Sequence, residues 1–156
     1  MYQIISDQNK IKMDEVKKLF IEYQKELGYD LCFQDFEQEL ETLPGKYKQP
    51  DGHLLLIKDS PSDSIAGCIA LKKHNGSTCE MKRLYILPDF REKGYGKILI
   101  QEIIRLAKMK GYQTMILDTL KELKPALHLY RKFGFQETGP YYYNPINDVV
   151  YMKKEL

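Results

Sequence analysis

Apolar residues recur at helical spacing in two early stretches of the chain, after a short apolar segment at residues 2–6 that predicts a strand. The first stretch begins near Asp14 and is stopped by Gly28, and the second ends at Pro44-Gly45. Their apolar positions are Val16, Leu19, Phe20, Tyr23 and Leu27 in the first stretch, and Phe33, Phe36, Leu40 and Leu43 in the second. Each stretch therefore predicts an amphipathic helix.

Three strand-like runs follow at residues 53–58, 65–73 and 79–87. Turn residues separate them, with Pro61-Ser62-Asp63 between the first two runs and Asn75-Gly76 between the last two. Because short turns of this kind join neighbouring antiparallel strands, the runs predict a three-stranded antiparallel unit.

The second half of the chain alternates helices and strands. An amphipathic helix at residues 97–110 leads to an apolar strand at 114–118, which we expect to run parallel to the strand at 79–87 because a helix crosses over between them. Pro125 then opens a helix that Gly134 ends. The last two strands are predicted at residues 135–138 and 149–155. The whole pattern predicts an α/β fold with a mixed, mostly antiparallel central sheet flanked by helices.

Composition narrows the class of protein. The chain has 156 residues, which fits one domain, and its 24 basic and 22 acidic residues give a net charge of +2, so no nucleic-acid or membrane partner is expected. Cys32, Cys68 and Cys79 suit neither a disulfide framework nor a zinc site, and they fit a reducing compartment. No apolar run approaches eighteen residues and no signal peptide is recognisable. We therefore expect a soluble, cytoplasmic protein.

Residues 91–96, Arg-Glu-Lys-Gly-Tyr-Gly, lie directly between a predicted strand and the helix at 97–110. Two glycines spaced by one residue let the backbone approach an anion, and the first N–H groups of the helix point at it. Arg91, Lys93 and Lys97 add positive charge, although a plain tight turn with solvated side chains explains the same pattern. A three-glycine dinucleotide motif and a Walker loop are both absent from the sequence. The segment predicts a site for a phosphate-bearing cofactor.

A second motif, Leu-Tyr-Arg-Lys-Phe-Gly-Phe at residues 129–135, follows about forty residues later. Together, the two motifs resemble those of the GNAT superfamily of acyl-CoA-dependent N-acyltransferases, and the resemblance covers nearly the whole chain. It implies one N-acetyltransferase domain at residues 1–156, with a sheet that splays between strands four and five to admit acetyl-CoA. It implies no metal, and His53, His74 and His128 form no ligand cluster in the sequence.

The resemblance also implies which residues contact acetyl-CoA. Backbone groups of Leu84, Tyr85 and Ile86 would pair with the pantetheine arm as an added strand would, and Ala126 and Tyr130 would line the thioester end. The pyrophosphate would be surrounded by Arg91, Glu92, Lys93, Gly94, Tyr95, Gly96 and Lys97. Leu123 stands where many relatives carry an asparagine that contacts the cofactor arm, so that contact is not expected here.

Two side chains are candidates for proton transfer. Glu80 lies eleven residues before Arg91, the offset of the strand glutamate that acts as base in the histone acetyltransferase branch of the superfamily. A solvated or ion-paired Glu80 beside Lys82 or Arg83, with a water relay as base, is the alternative. By the same resemblance Tyr130 is the general acid for the departing thiolate, against the alternative of a packing tyrosine. An oxyanion donor is expected near Tyr85 or Ile86, at a bulge in the strand.

The acceptor is expected to be a primary amine of a small molecule or of a peptide or protein. The tyrosines at residues 141–143 either wall the acceptor pocket or pack, and Glu37, Glu39 and Glu41 either attract an amine or form the wet face of a helix. A non-catalytic acyl-CoA-binding sensor is the alternative function, and intact Glu80 and Tyr130 favour the enzyme. The oligomeric state is left open, a homodimer included.

Overall fold

The computed structural model describes residues 1–31 and 35–156. Cys32 and Phe33, an apolar position of the predicted second helix, therefore lie outside the described residues. Within them, four α-helices are formed: α1 (Met13–Leu27), α2 (Phe36–Thr42), α3 (Tyr95–Met109) and α4 (Lys124–Lys132). The seven strands of the same residues are β1 (Tyr2–Ile5), β2 (His53–Asp59), β3 (Ser64–Asn75), β4 (Thr78–Ile86), β5 (Thr114–Leu120), β6 (Gln136–Thr138) and β7 (Val149–Glu155).

All seven strands belong to one sheet in the order β1-β2-β3-β4-β5-β7-β6. Each neighbouring pair is antiparallel except β4 and β5, which are parallel and joined by α3. Parallel neighbours need a crossover connection, and α3 supplies it. The mixed, mostly antiparallel sheet predicted from the sequence is therefore confirmed.

The parallel pair of strands is joined only at one end. Thr78, Cys79 and Glu80 of β4 pair with Thr114–Ile116 of β5, and among the described residues the ladder goes no further. Past this point β5 stays paired with β7, whose Val149 lies opposite Leu120. The sheet consequently splays between strands four and five, and the rest of β4 presents a free edge to the opening.

A β-bulge interrupts β4 at the start of this free edge. Cys68 of β3 lies opposite Tyr85 and Ala70 lies opposite Lys82, so two steps along β3 match three along β4. The extra residue lies at Arg83, whose backbone takes the left-handed conformation with φ 59°. A bulge in this strand was expected from the resemblance, and it lies just before Tyr85.

Helices cover both faces of the sheet. One face packs on α3 through Leu99, Ile100 and Ile103, and the other packs on α1 through Val16 and Phe20. All five side chains are fully buried, which the helical spacing of apolar residues predicted. None of the helices in the described ranges is both long enough and apolar enough to cross a membrane.

The structure corrects the beginning of the helix predicted at residue 97. Helix α3 begins two residues earlier, so Gly96 lies inside its first turn. Gly94 precedes the helix with φ 79°, a left-handed conformation that favours glycine, and the backbone is helical directly after it. The two glycines thus have different places, one at the turn and one within the helix.

Candidate active site

The opening between β4 and β5 holds two cavities that share wall residues. The larger, about 320 Å³, lies between the free edge of β4, the beginning of α3 and the beginning of α4. The smaller, about 80 Å³, lies deeper between the two strands. Tyr23, Leu84, Leu123 and Ala126 line both. The two cavities therefore form adjoining parts of one cleft.

The free edge of β4 forms one wall of the larger cavity. Leu84, Tyr85 and Ile86 all line it, and these are the residues that the resemblance implies for pantetheine. Their strand is paired with β3 on its other side, which leaves their cleft-facing edge without a β5 partner among the described residues. An extended chain with amide groups fits such an edge, because backbone groups there need hydrogen-bond partners.

The beginning of α3 forms the outer end of the same cavity. Its first helical hydrogen bond runs from the Ile98 amide to the Gly94 carbonyl at 3.2 Å, so the amides of Tyr95, Gly96 and Lys97 precede the ladder. Among the described residues, no side chain caps this end. A Cβ added to Gly96, which lines the cavity, would lie 3.7 Å from Leu129 and otherwise meet open space. This end of α3 can receive an anion closely.

Arg91 extends from the turn into the larger cavity and is held there by two groups. Its Nη2 lies 2.7 Å from a carboxylate oxygen of Glu26 on α1, and its Nε donates to the Ile86 carbonyl at 2.9 Å. The Tyr85 hydroxyl donates to the same Glu26 oxygen at 2.7 Å. These bonds lower the pKa of Glu26, with the Arg91 hydrogen bond as the main cause. The positive charge predicted here is present but paired.

Neither the Lys93 side chain nor the Tyr95 side chain lines the larger cavity, and both contact Asp59 instead. The Lys93 Nζ lies 3.2 Å from Asp59 at the end of β2, and the Tyr95 hydroxyl donates to the same carboxylate. Hydrogen bonds, first of all that from Tyr95, hold the pKa of Asp59 well below its usual range. Glu92 and Lys97 are exposed. Lys93 and Tyr95 anchor the turn, and its backbone amides remain for a ligand.

Tyr130 lies on α4 at the smaller, deeper cavity, which is the inner cavity of the cleft, and Ala126 lies in the same wall. Its side chain is 7% exposed and its ring packs edge-on against Phe135 at 6.0 Å. Burial raises the pKa of the phenol, so the hydroxyl keeps its proton well above neutral pH. Among residues 1–31 and 35–156 no group forms a hydrogen bond with this hydroxyl. It is thus a proton donor available to a bound molecule.

Glu80 is buried and ion-paired. Its Oε2 accepts a hydrogen bond from the Tyr141 hydroxyl at 2.9 Å and lies 3.5 Å from the Lys82 ammonium, while Oε1 lies 3.6 Å from Lys72. Its side chain is 4% exposed, and it is not part of the wall that contains Tyr130. The ion-paired alternative weighed from the sequence describes this carboxylate.

Sequence comparison matches residues 13–135 to the acetyltransferase (GNAT) family. The chain belongs to the GNAT family. An uncharacterised N-acetyltransferase of Schizosaccharomyces pombe is 44% identical over 92% of this chain and 88% of its own. Another, of Dictyostelium discoideum, is 33% identical over 93% and 95%. The predicted family and enzyme class, an N-acetyltransferase that uses acetyl-CoA, are confirmed.

Solved GNAT structures share the fold. An acetyltransferase of the GNAT family from Staphylococcus aureus superposes with a TM-score of 0.80 at 20% identity, covering 99% of both chains. A GNAT family acetyltransferase from Elizabethkingia anophelis, solved with acetyl-CoA bound, gives 0.68 at 24% identity over 99% of this chain and 98% of its own. The predicted splayed, mixed sheet is the fold of these proteins.

The GNAT cleft of this chain also contains residues that the sequence did not single out. Lys82, Arg83 and Asp118 line its inner cavity, and Glu26 lines the outer one. The one sequence signal was at Asp118, a carboxylate that directly follows the apolar run Met-Ile-Leu of β5. Lys82, Arg83 and Glu26 resemble any surface charge in the sequence, because their partners are distant along the chain.

Glu39 belongs neither to a wet helix face nor to the amine-facing group that the sequence allowed. It is buried, and the Arg83 guanidinium donates to both of its oxygens at 2.9 and 3.1 Å, with Lys46 at 2.8 Å. Burial alone would raise the pKa of Glu39, but the two cations outweigh it and lower the pKa to about 2. This ion pair joins α2 to the bulge of β4.

His53, His74 and the two cysteines of the described residues make packing or hydrogen-bond contacts, whereas His128 is exposed. Within these ranges no group of three His, Cys, Asp or Glu side chains could hold a metal ion. His53 is buried beside the Ser6 hydroxyl at 2.8 Å, and His74 packs against the Tyr141 ring at 5.5 Å. Burial raises the pKa of the Cys68 thiol, and likewise that of Cys79, to about 12, so both stay protonated.

Proposed function

We propose that the whole chain, as one domain, transfers the acetyl group of acetyl-CoA to a primary amine of a small molecule or of a peptide or protein. One observation carries the proposal: the free edge of β4 and the uncapped start of α3 line the same cavity, at the place where the sheet splays. The edge offers a hydrogen-bonding strand and the helix offers anion-binding amides. The pantetheine arm of acetyl-CoA requires the first, and its pyrophosphate requires the second.

The cofactor residues predicted from the sequence fit this arrangement in two groups. Leu84, Tyr85 and Ile86 would bind the pantetheine arm through their backbone. The amides of residues 94–97 would bind the pyrophosphate, with Arg91 adding a charge-assisted hydrogen bond. Ala126 lies where both cavities meet, which supports its predicted place at the thioester end.

The proposed reaction is direct attack of the amine nitrogen on the acetyl carbon, with loss of the CoA thiolate. Tyr130 would donate its proton to the sulfur, and its hydroxyl, buried and without a hydrogen-bond partner in the part of the chain that the structure describes, supports this role. The bulge at Arg83 turns the backbone directly before Leu84, which lines both cavities, and an amide there would stabilise the oxyanion. Glu80 as the base stays a prediction.

The proposed location is the cytoplasm. Cys68 and Cys79 are free, buried thiols rather than members of a disulfide. Their protonated state and burial suit a reducing compartment, in which thiols persist. Fractionation of native cells with an antibody against the chain tests this location, and recovery from a secreted fraction would contradict it.

Two measurements test the function. Calorimetric titration with acetyl-CoA should show binding that Arg91→Ala weakens roughly 10- to 150-fold, since a hydrogen bond to a charged group contributes roughly 1.5–3 kcal/mol. A thiol-release assay then screens putrescine, 2-phenylethylamine, L-glutamate and a lysine-containing peptide as acceptors. Absence of binding by folded protein would overturn the proposal, and binding without thiol release from any amine would support the sensor alternative.

Tyr130→Phe tests the acid. We expect a fall in kcat of roughly 100-fold, the usual contribution of a positioned proton donor. Acetyl-CoA affinity should stay the same, because the substitution removes only the hydroxyl and keeps the packing against Phe135. Tyr143→Phe, at an exposed tyrosine, is the matched control. Full turnover by Tyr130→Phe would remove Tyr130 from the mechanism.

A further inference from the structure

Two carboxylates flank the point where β4 and β5 separate, and they lie on opposite sides of it. Glu80 belongs to the last pair of the parallel ladder, opposite Ile116. Asp118 lies two residues beyond that pair on β5. Glu80 is therefore in the closed part of the sheet, and Asp118 is in the open part.

Asp118 faces the cleft, as a base must. It lines the inner cavity together with Lys82, Ala126 and Tyr130, whereas Glu80 is not part of that wall. The Asp118 side chain is 15% exposed, compared with 4% for Glu80. Since a general base must reach the acceptor nitrogen within hydrogen-bond distance, Asp118 is the carboxylate that meets the geometric requirement.

The hydrogen bonds of the two carboxylates also favour Asp118 over Glu80 as the base. Both oxygens of Glu80 face donors, namely Tyr141 and two lysines. Oδ2 of Asp118 accepts a hydrogen bond from the Tyr142 hydroxyl at 2.6 Å. Its Oδ1 lies 4.0 Å from the Lys82 Nζ, too far for a hydrogen bond. The bond to Oδ2 thus orients the Asp118 side chain, and Oδ1 remains able to accept a proton.

We infer that Asp118, rather than Glu80, is the general base of this enzyme. The inference rests on the proposed acetyl transfer. The acceptor ammonium gives a proton to Oδ1 of Asp118, and the neutral nitrogen forms a bond to the acetyl carbon. The carbon–sulfur bond then breaks, and the thiolate takes the Tyr130 proton. A second proton leaves the nitrogen for solvent as the amide forms, and Asp118 and Tyr130 return to their starting states through water.

The base matters because a typical amine is charged at neutral pH. An amine with a pKa of about 10.4 is neutral in only about one molecule per thousand at pH 7.4. Titratable groups from several elements face Asp118 and determine the electrostatic environment of its carboxylate. They are Lys82 from β4, Tyr151 from β7, Tyr142 and Tyr141 from the loop before β7, Tyr23 from α1 and Tyr130 from α4. Lys82 is the cation among them.

The test compares Asp118→Asn with Glu80→Gln, using the panel amine that gives the fastest thiol release. Asp118→Asn should lower kcat/KM roughly 100-fold at pH 7, and the deficit should shrink as pH rises and the amine becomes neutral by itself. Asp148→Asn, the same change at an exposed residue, is the control and should equal wild type. A loss that is equal at every pH, or a pH-rescued loss in Glu80→Gln instead, overturns the inference.

Tyr142→Phe tests the same role if Asp118→Asn does not fold. It leaves the Asp118 carboxylate in place and removes the hydrogen bond to Oδ2. Because that bond orients the carboxylate, its loss should lower kcat/KM at pH 7, and the deficit should shrink as pH rises and the amine becomes neutral by itself. No loss, or a loss that is equal at every pH, contradicts the inference. Wild-type protein that releases no thiol with any amine overturns the proposed function itself, which is a different result.

Discussion

Glu26 and Arg91 form a contact at the mouth of the cofactor cavity that ligand binding must change. The guanidinium places a positive charge in the wall of this cavity, yet Glu26 lies 2.7 Å from it and places a negative charge in the same wall. Both side chains are more than 40% exposed, so their mutual attraction is weak and screened. A bound pyrophosphate would therefore compete with Glu26 for Arg91 at small cost.

Glu26→Gln should tighten the binding of acetyl-CoA. Removing the carboxylate frees Arg91 and takes away a charge that repels phosphate, and we expect an affinity gain of about two- to fivefold, or less than about 1 kcal/mol. Calorimetric titration at low salt measures it. Glu22→Gln removes an equal charge elsewhere on α1 and should change little. Weaker binding by Glu26→Gln would mean that Glu26 positions Arg91 instead of competing for it.

At the scale of elements, α2 and β4 depend on one buried ion pair. Arg83 has a left-handed backbone, and its side chain is 2% exposed between the rings of Tyr23 and Phe36. Such a conformation persists only where surrounding contacts hold it. The bonds to Glu39 supply that hold, so helix α2 and the bulge at the neck of the cleft are mechanically coupled.

This pair predicts a specific dependence of stability on pH. The pKa of Glu39 is lowered to about 2 in the folded protein, below its ordinary value. The contribution of Glu39 is therefore fully present above pH about 4.5 and is lost as pH falls toward 2, on the order of 3 kcal/mol. Urea unfolding between pH 2.5 and 7 measures this loss.

Variants of α2 isolate the effect. Glu39→Gln should flatten the acid limb and destabilise the protein at pH 7 by roughly 3–5 kcal/mol, because the buried Arg83 charge loses the Glu39 carboxylate. Glu37→Gln, at an exposed position of the same helix, should leave both the stability and its pH dependence unchanged. An acid limb that survives in Glu39→Gln would assign the pH dependence to other carboxylates.

The elements themselves could be predicted from the sequence, but their polar joints could not. Periodic apolar residues such as Leu99 and Ile103 indicate α3, since local spacing decides which face is buried. The start of the helix was placed two residues late because Gly94, rather than Gly96, takes the turn conformation. The bulge at Arg83 depends on Glu39, which is forty-four residues away along the chain. A local sequence pattern cannot reveal a contact between residues so far apart.

The same limit explains the site. The segments expected to bind through their backbone follow from motifs, and the structure brings the β4 and α3 segments to one cavity. Side-chain roles depend on what faces them across the fold. Lys93 turned out to contact Asp59, and Glu80 contacts Tyr141 sixty-one residues away. Asp118 was missed because only the splay brings it into the cleft.

For the whole molecule, the proposed cofactor site lies where the ladder between two neighbouring strands of the sheet is short. Within residues 1–31 and 35–156, three residue pairs join β4 to β5, at Thr78–Glu80, and beyond them the two parts of the sheet separate. The larger cavity is bounded by β4 on one side and by Leu123, Ala126 and Leu129 on the other. A ligand in this cavity would bridge the two parts and bind only when both are folded.

Acetyl-CoA should therefore stabilise the entire fold. At a concentration 100 times Kd, linkage gives about 2.7 kcal/mol, which raises Tm by roughly 5–10 °C for a chain of this size.

Gly96→Ala separates stability from binding. Its added Cβ has room beside Leu129, and alanine favours the helix, so the Tm without ligand should match or exceed that of wild type. Because this Cβ enters the cavity wall at the phosphate end, the acetyl-CoA-induced shift should shrink, and Gly139→Ala, also in open space, should keep it. A full shift in Gly96→Ala, measured by differential scanning fluorimetry, would place the pyrophosphate away from the start of α3.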